Sequence, residues 1–240
     1  MRPADTDRRA WSGEFRYVFF GCAAPAAFFG LLGWYNLLFL RDEIGAAHHH
    51  HTFGSVMTGP FERALYLAFV SIPVVIYLTR PRADRRDGGI AARTAAFVGT
   101  TMLLIFPMCF ENGPRILVLP AAVHAVAGLA LVGCTAFGVW ALLYLRHNFS
   151  IIPEARDLVL AGPYRVVRHP LYLAEIGLAV SLTLHSDLHA WSTFILVPFV
   201  AVQLVRSAYE EELLRDALPG YAEYAKRTPR LVPNWHPKLT

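Results

Sequence analysis

Between residues 156 and 172 the chain reads RDLVLAGPYRVVRHPLY, which sets Arg156, Arg165, Arg168 and His169 directly in front of an apolar run. Pro163 and Pro170 each lack an amide donor and push the preceding residue away from helix. The spacing predicts non-helical backbone over 162–170. Free amides and carbonyls there could hold a polar small molecule, provided they are buried in protein or line a wet cavity. Tyr164 and Tyr172 add flat apolar faces with a hydroxyl handle. The competing structural role is a basic anchor whose side chains snorkel to headgroups before a membrane span.

A second group of chemistry-bearing residues is VRSAYEEELL, residues 205–214. Arg206 and Glu210 are four apart and share one helix face. Glu211 and Glu212 fall on other faces, where three successive carboxylates are expected to form a solvated helix end. A carboxylate suits a cationic ligand group, and a guanidinium one turn away suits an anionic one. The pair could therefore hold two ligands of different charge.

The elements that must position these groups follow from hydropathy. Of the 240 residues, 55% are hydrophobic and 17% charged, well below the roughly 25% charged of soluble domains. The fold class expected is an all-α integral membrane helix bundle with about six membrane segments, at 17–40, 61–79, 94–110, 116–145, 171–184 and 188–205. The last two are short, joined by HSDLH, and read as a helical hairpin; the sequence leaves open whether that hairpin crosses fully. With both termini in the cytoplasm, nineteen of the 22 Lys and Arg residues fall on inner segments and three on outer loops, as the positive-inside rule requires. Both chemistry-bearing stretches then lie at the cytoplasmic end, and the RPRADRRDGG loop meets membrane lipids there.

Other classes find little support. The net charge of +4 comes with no basic face on a soluble fold, so no nucleic-acid partner is expected. Cys22, Cys109 and Cys134 lie in apolar segments without metal-type spacing and read as small core side chains. The first apolar run reads as retained, not as a signal peptide. His48–His51 stand in an outer loop, but consecutive histidines rarely close a metal site, and no metal is expected. His124, inside the fourth apolar segment, is either functional or hydrogen-bonded across helices. The small residues of 121–138 suit close helix packing.

From 146 to 233 the succession NFSI, LVLAGPYRVVRHPLYLAE, EEELL and GYAEYAKRTPRLVP closely resembles the isoprenylcysteine carboxyl methyltransferase family, which is related to the membrane phospholipid methyltransferases. The resemblance implies S-adenosylmethionine as cofactor, bound in a cytoplasmic pocket built by the C-terminal part. It implies that Arg156, Asp157, Leu158 and Val159 form a wall of that pocket, that Tyr164, His169, Pro170, Leu171 and Tyr172 line it, and that Glu210 contacts the cofactor. Arg206 would face the methyl acceptor, and His169 or a glutamate would serve as base for an acceptor needing deprotonation. The tail LPGYAEY departs from the family pattern by one residue near Pro219, so no role is carried over to 216–224. The division expected is 1–145 as acceptor-side transmembrane helices and 146–240 as the methyltransferase region. The acceptor expected is a lipophilic or small molecule with a carboxylate or thiol-type group. The alternatives are a phospholipid amine or small-thiol methyltransferase, a transporter, or a non-catalytic membrane protein.

Overall fold

The computed structural model describes residues 19, 22–47, 60–79, 85–86, 89–105, 114–151, 154–155, 157–185 and 187–233. Arg156 and His48–His51 lie outside them. Among the described residues, one α-helix overlaps each expected apolar segment: α1 (Ala24–Ala47), α2 (Pro60–Thr79), α3 (Ile90–Ile105), α4 (Ala121–Leu145), α5 (Pro170–His185) and α6 (Ala190–Ala217), followed by a short α7 (Tyr221–Arg227). Four short strands, β1 (Arg85–Arg86), β2 (Arg115–Leu117), β3 (Glu154–Ala155) and β4 (Leu188–His189), form two antiparallel pairs, β1 with β3 and β2 with β4.

Among the described residues, two helical stretches are long and apolar enough to cross a membrane: Ala121–Asn148 and Ala190–Ala217, each of 28 residues. At about 1.5 Å per residue each reaches about 42 Å, beyond the roughly 30 Å of hydrocarbon. Helix α5, with 16 residues, reaches only about 24 Å. The two helices of the expected hairpin are therefore unequal. Helix α6 also runs on past residue 205, so Arg206 and Glu210 sit within a continuous helix and not at its end.

The chain falls into two compact units, Met1–Pro81 and Arg82–Thr240. In the first, α1 packs on α2, with Phe29 stacked on Tyr77 at 6.2 Å. In the second, α4 packs on α5, α5 on α6, and α6 on α3. Within this unit α4 packs along α5. Its buried stripe contains Ala127, Gly128, Leu131, Thr135, Gly138, Ala141 and Leu142, and the small members let the helices approach. A Cβ added at Gly177 of α5 would lie 2.6 Å from the Cys134 sulfur of α4.

The end of this unit holding β2 and β4 is closed by polar contacts. The His124 ring faces the His185 carbonyl through Nδ1 (2.7 Å) and both the Leu119 carbonyl (3.1 Å) and Asp187 Oδ1 (3.0 Å) through Nε2. Every partner is an oxygen acceptor, so the doubly protonated ring fits the site. Asp187 also accepts from the Leu119 amide, which, ahead of His124 and Arg115, holds its carboxyl below the usual carboxylate range. His124 thus clasps the loop between α5 and α6 to the chain leading into α4.

Candidate small-molecule cleft

At the other end of the second unit, the end of α4, the stretch 157–159, a 3-10 turn over Gly162–Arg165, Arg168 and His169 just ahead of α5, the last turns of α6 and α7 surround an open cleft. The expected non-helical stretch is only partly so. Gly162–Arg165 closes a 3-10 turn, and Pro170 begins α5. A first helical position tolerates proline because its amide would lack a helical partner anyway.

Glu211 holds this end together. Its Oε1 accepts from Arg168 Nε (2.9 Å) and Nη2 (2.7 Å) and from His169 Nε2 (3.2 Å), and its Oε2 from Arg215 Nη2 (3.0 Å). The expectation of a solvated Glu211 is therefore corrected. Gln203, Ser207 and Glu211 recur every four residues and are all buried, so Glu211 continues the packed face of α6. Arg168 Nη1 donates to the Ala225 and Thr228 carbonyls, both at 2.7 Å. The Arg168 and His169 amides donate to the Pro229 and Arg230 carbonyls at 2.9 and 3.1 Å. One carboxylate and one guanidinium thus strap the chain after α7 across the start of α5. The Tyr224 hydroxyl completes the strap by donating to the Tyr164 carbonyl at 2.6 Å.

Of the residues expected at the site, Asp157, Leu158, Val159, Tyr164, His169 and Glu210 line the cleft. The Asp157 amide is fixed by Asn148 Oδ1 at 3.1 Å. The His169 ring lies between carboxylates, with Nε2 on Glu211 and Nδ1 3.8 Å from Glu210. Burial, then the Glu210 charge, pushes the Tyr164 phenol well above its ordinary value, so it stays a neutral donor. Pro170, Leu171 and Tyr172 are not among the lining residues, because α5 begins at Pro170 and carries them into the bundle. The Tyr172 hydroxyl instead lies beside the Glu210 carboxylate. Arg206 is also absent from the lining. It is buried, its guanidinium 5.2 Å from the centre of the Tyr172 ring.

The sequence reading singled out Arg168 without a place in the site, and it missed Leu145, Asn148, Leu214, Leu218, Tyr221 and Tyr224; all line the cleft too. Tyr221 and Tyr224 are three apart, so a one-turn helix would have put both rings on one side. Burial raises both phenols, and they join Tyr164 in an aromatic wall.

The turn that carries Tyr164 depends on Gly162, whose φ is +58° and whose added Cβ would lie 2.8 Å from the Tyr144 ring. That ring is 41% exposed and can swing aside, so backbone strain sets the cost. Gly162→Ala is expected to destabilise the protein by about 1–2 kcal/mol, read as a lowered Tm in thermal unfolding.

Two apolar helices of spanning length and a polar, aromatic-walled cleft at one end of the second unit are features of a helical membrane protein. Comparison with known sequences adds one finding: residues 122–219 match the family model for phospholipid methyltransferase. The chain is 27% identical over 113 residues to the nickel-cobalt-cadmium resistance protein NccN of Alcaligenes xylosoxydans xylosoxydans, covering 47% of this chain and 51% of that protein. It is 30% identical over 95 residues to the cobalt-zinc-cadmium resistance protein CzcN of Cupriavidus metallidurans, covering 40% of this chain and 42% of that protein. It thus spans about half the length, or less, of these curated relatives.

Proposed function

We propose that this chain is an integral membrane, multi-pass methyltransferase that uses S-adenosylmethionine and methylates a lipophilic acceptor bearing a carboxylate or thiol-type group. The observation that carries the reading is the cleft, with Glu210 at its inner side and tyrosines on its walls, within the domain that matches a methyltransferase family. The residues present fit the cofactor. Glu210 suits the sulfonium, Tyr164, Tyr221 and Tyr224 with Leu158 and Val159 suit the adenosine, and His169, Arg168 and Asp157 offer contacts to the amino-acid part.

When bound, the cofactor supplies a methyl group already activated on sulfur. The chain's own residues would align and enclose. Glu210, backed by the Tyr172 hydroxyl, fixes where the positive charge sits. The strap across Arg168 keeps water from the inner wall, and Arg206 lies one turn deeper, toward an acceptor entering from lipid between helices. Holding acceptor and methyl in line is worth roughly 7–11 kcal/mol. A carboxylate or thiolate needs no base; for an amine or phenol, His169 stands nearest the cleft.

The proposed orientation puts both termini and the cleft in the cytoplasm. Strand pairing supports which loops share a side, and the distribution of Lys and Arg supports which side is the cytoplasm. β1 and β3 come from two loops both proposed to lie inside, and β2 and β4 from two proposed to lie outside.

Titration of the purified protein with S-adenosylmethionine tests the reading. His169→Ala is expected to raise Kd by about tenfold, the equivalent of one or two lost hydrogen bonds. Tyr172→Phe should raise it less, since it touches Glu210 and not the cleft. No binding by the wild type would overturn the proposal. Acceptor panels then separate it from the alternative, a phospholipid amine or small-thiol acceptor, which the same domain match also supports.

A further inference from the structure

The stretch where the tail departs from the family pattern, Leu218 to Tyr221, folds into a tight turn. The Tyr221 amide donates to the Leu218 carbonyl at 3.3 Å, and Gly220 has φ +87° and ψ −10°. Proline second and a left-handed glycine third are the signature of a type II turn. The turn starts α7 at Tyr221, whose ring meets Tyr224 edge-on at 5.8 Å. Both rings line the cleft, but their hydroxyls differ. Tyr224 donates its proton to the Tyr164 carbonyl at 2.6 Å. Tyr221 is 1% exposed, and its hydroxyl is buried without a hydrogen-bond partner. Of the described side chains with a buried, unpartnered polar atom, Tyr221 is the one that lines the cleft. Its exclusion from water is therefore uncompensated within the chain. Burial, then the Glu211 and Glu210 carboxylates, keeps the proton on this phenol, so at neutral pH it is an uncharged donor.

We infer that the Tyr221 hydroxyl is a ligand-reading donor of the cleft: it bonds an uncharged acceptor on the nucleoside part of the cofactor, a ring nitrogen or a ribose oxygen, and not the cofactor's carboxylate. This rests on the methyltransferase reading and names the part of the ligand that this wall reads. Glu211 and Glu210 both act on the hydroxyl, ahead of the one cation, Arg168. An anionic group brought to it would meet two like charges in a place shut off from water, where repulsion is strong. A neutral lone pair meets only the open donor. Tyr224 cannot stand in for it, because its own proton is already on Tyr164.

The test uses full-length protein in detergent, calorimetric titration and two probes: S-adenosylmethionine and its decarboxylated form, which keeps the nucleoside, the sulfonium and the amine. The wild type is expected to bind both. Tyr221→Phe keeps the ring and removes only the hydroxyl. It should raise Kd about fivefold for each probe, the equivalent of one lost hydrogen bond. Without ligand the same variant should melt at or above the wild-type temperature, since no bond within the protein is lost. Tyr224→Phe, which loses its bond to Tyr164, should melt lower. A tyrosine with a structural duty alone would show the reverse at 221, a lowered Tm with Kd unmoved. Four results would overturn the inference and leave the methyltransferase reading standing: Kd unchanged in Tyr221→Phe, a loss confined to S-adenosylmethionine, a wild type that binds only the probe with a carboxylate, or a lowered Tm in Tyr221→Phe. No binding of S-adenosylmethionine by the wild type would overturn both.

Discussion

Replacing Glu211 by alanine is expected to destabilise the second unit by about 3–5 kcal/mol, the cost of leaving a buried charge without its partner. Arg168 would keep its two carbonyl contacts but lose both N–H bonds to the carboxylate, and His169 would lose the acceptor on Nε2. The Arg168 and Glu211 side chains are only 10% and 7% exposed, so water cannot take the carboxylate's place. Thermal unfolding measures the loss. Limited proteolysis should cut the strap after α7 in the variant while sparing it in the wild type. A Tm within a degree or two of the wild type would mean that the strap is held by its backbone bonds alone.

Glu210→Gln is expected to weaken S-adenosylmethionine binding by about tenfold, whereas Glu212→Gln should leave it unchanged. At about 4 Å and an effective dielectric of about 20, a carboxylate and a cation attract by about 4 kcal/mol. Glu210 is 30% exposed, and screening reduces this to about 1–2 kcal/mol, near one factor of ten. Glu212 carries the same charge two residues on, roughly 200° around the helix, and is exposed. Titration of both variants checks the contrast. Equal losses would mean that the carboxylates act through bulk charge and not through contact in the cleft.

The two variants probe adjacent residues with different duties, and that difference was only half legible in the sequence. Reading from Arg206, the four-residue step selects Glu210 and turns Glu211 away. Reading from Gln203, the same step runs through Ser207 to Glu211. Both stripes exist on α6; which one is buried depends on what packs against it, and that is Arg168 from the start of α5. The same holds for Arg206. Its spacing from Glu210 was legible, but its approach to within 4.0 Å of Glu175, 31 positions earlier, was not, since the partners lie on different helices.

What the sequence determined by itself was local or compositional. Each apolar run specifies a helix that overlaps it, because a buried chain segment must satisfy its own amides, while several helix ends fall outside the runs. The two prolines mark the turn before α5, because a missing amide and a fixed φ act at their own positions. The motif stretch identified the residues that line much of the cleft. The tertiary structure alone decided which long-range partners those residues take: Tyr221 and Tyr224 completing the wall, Arg168 and Glu211 tying down the strap, Glu175 beside Arg206, and the division at 81/82. Each of these depends on burial and on charges meeting across helices, and burial is a property of the packed assembly that no single helix pattern contains.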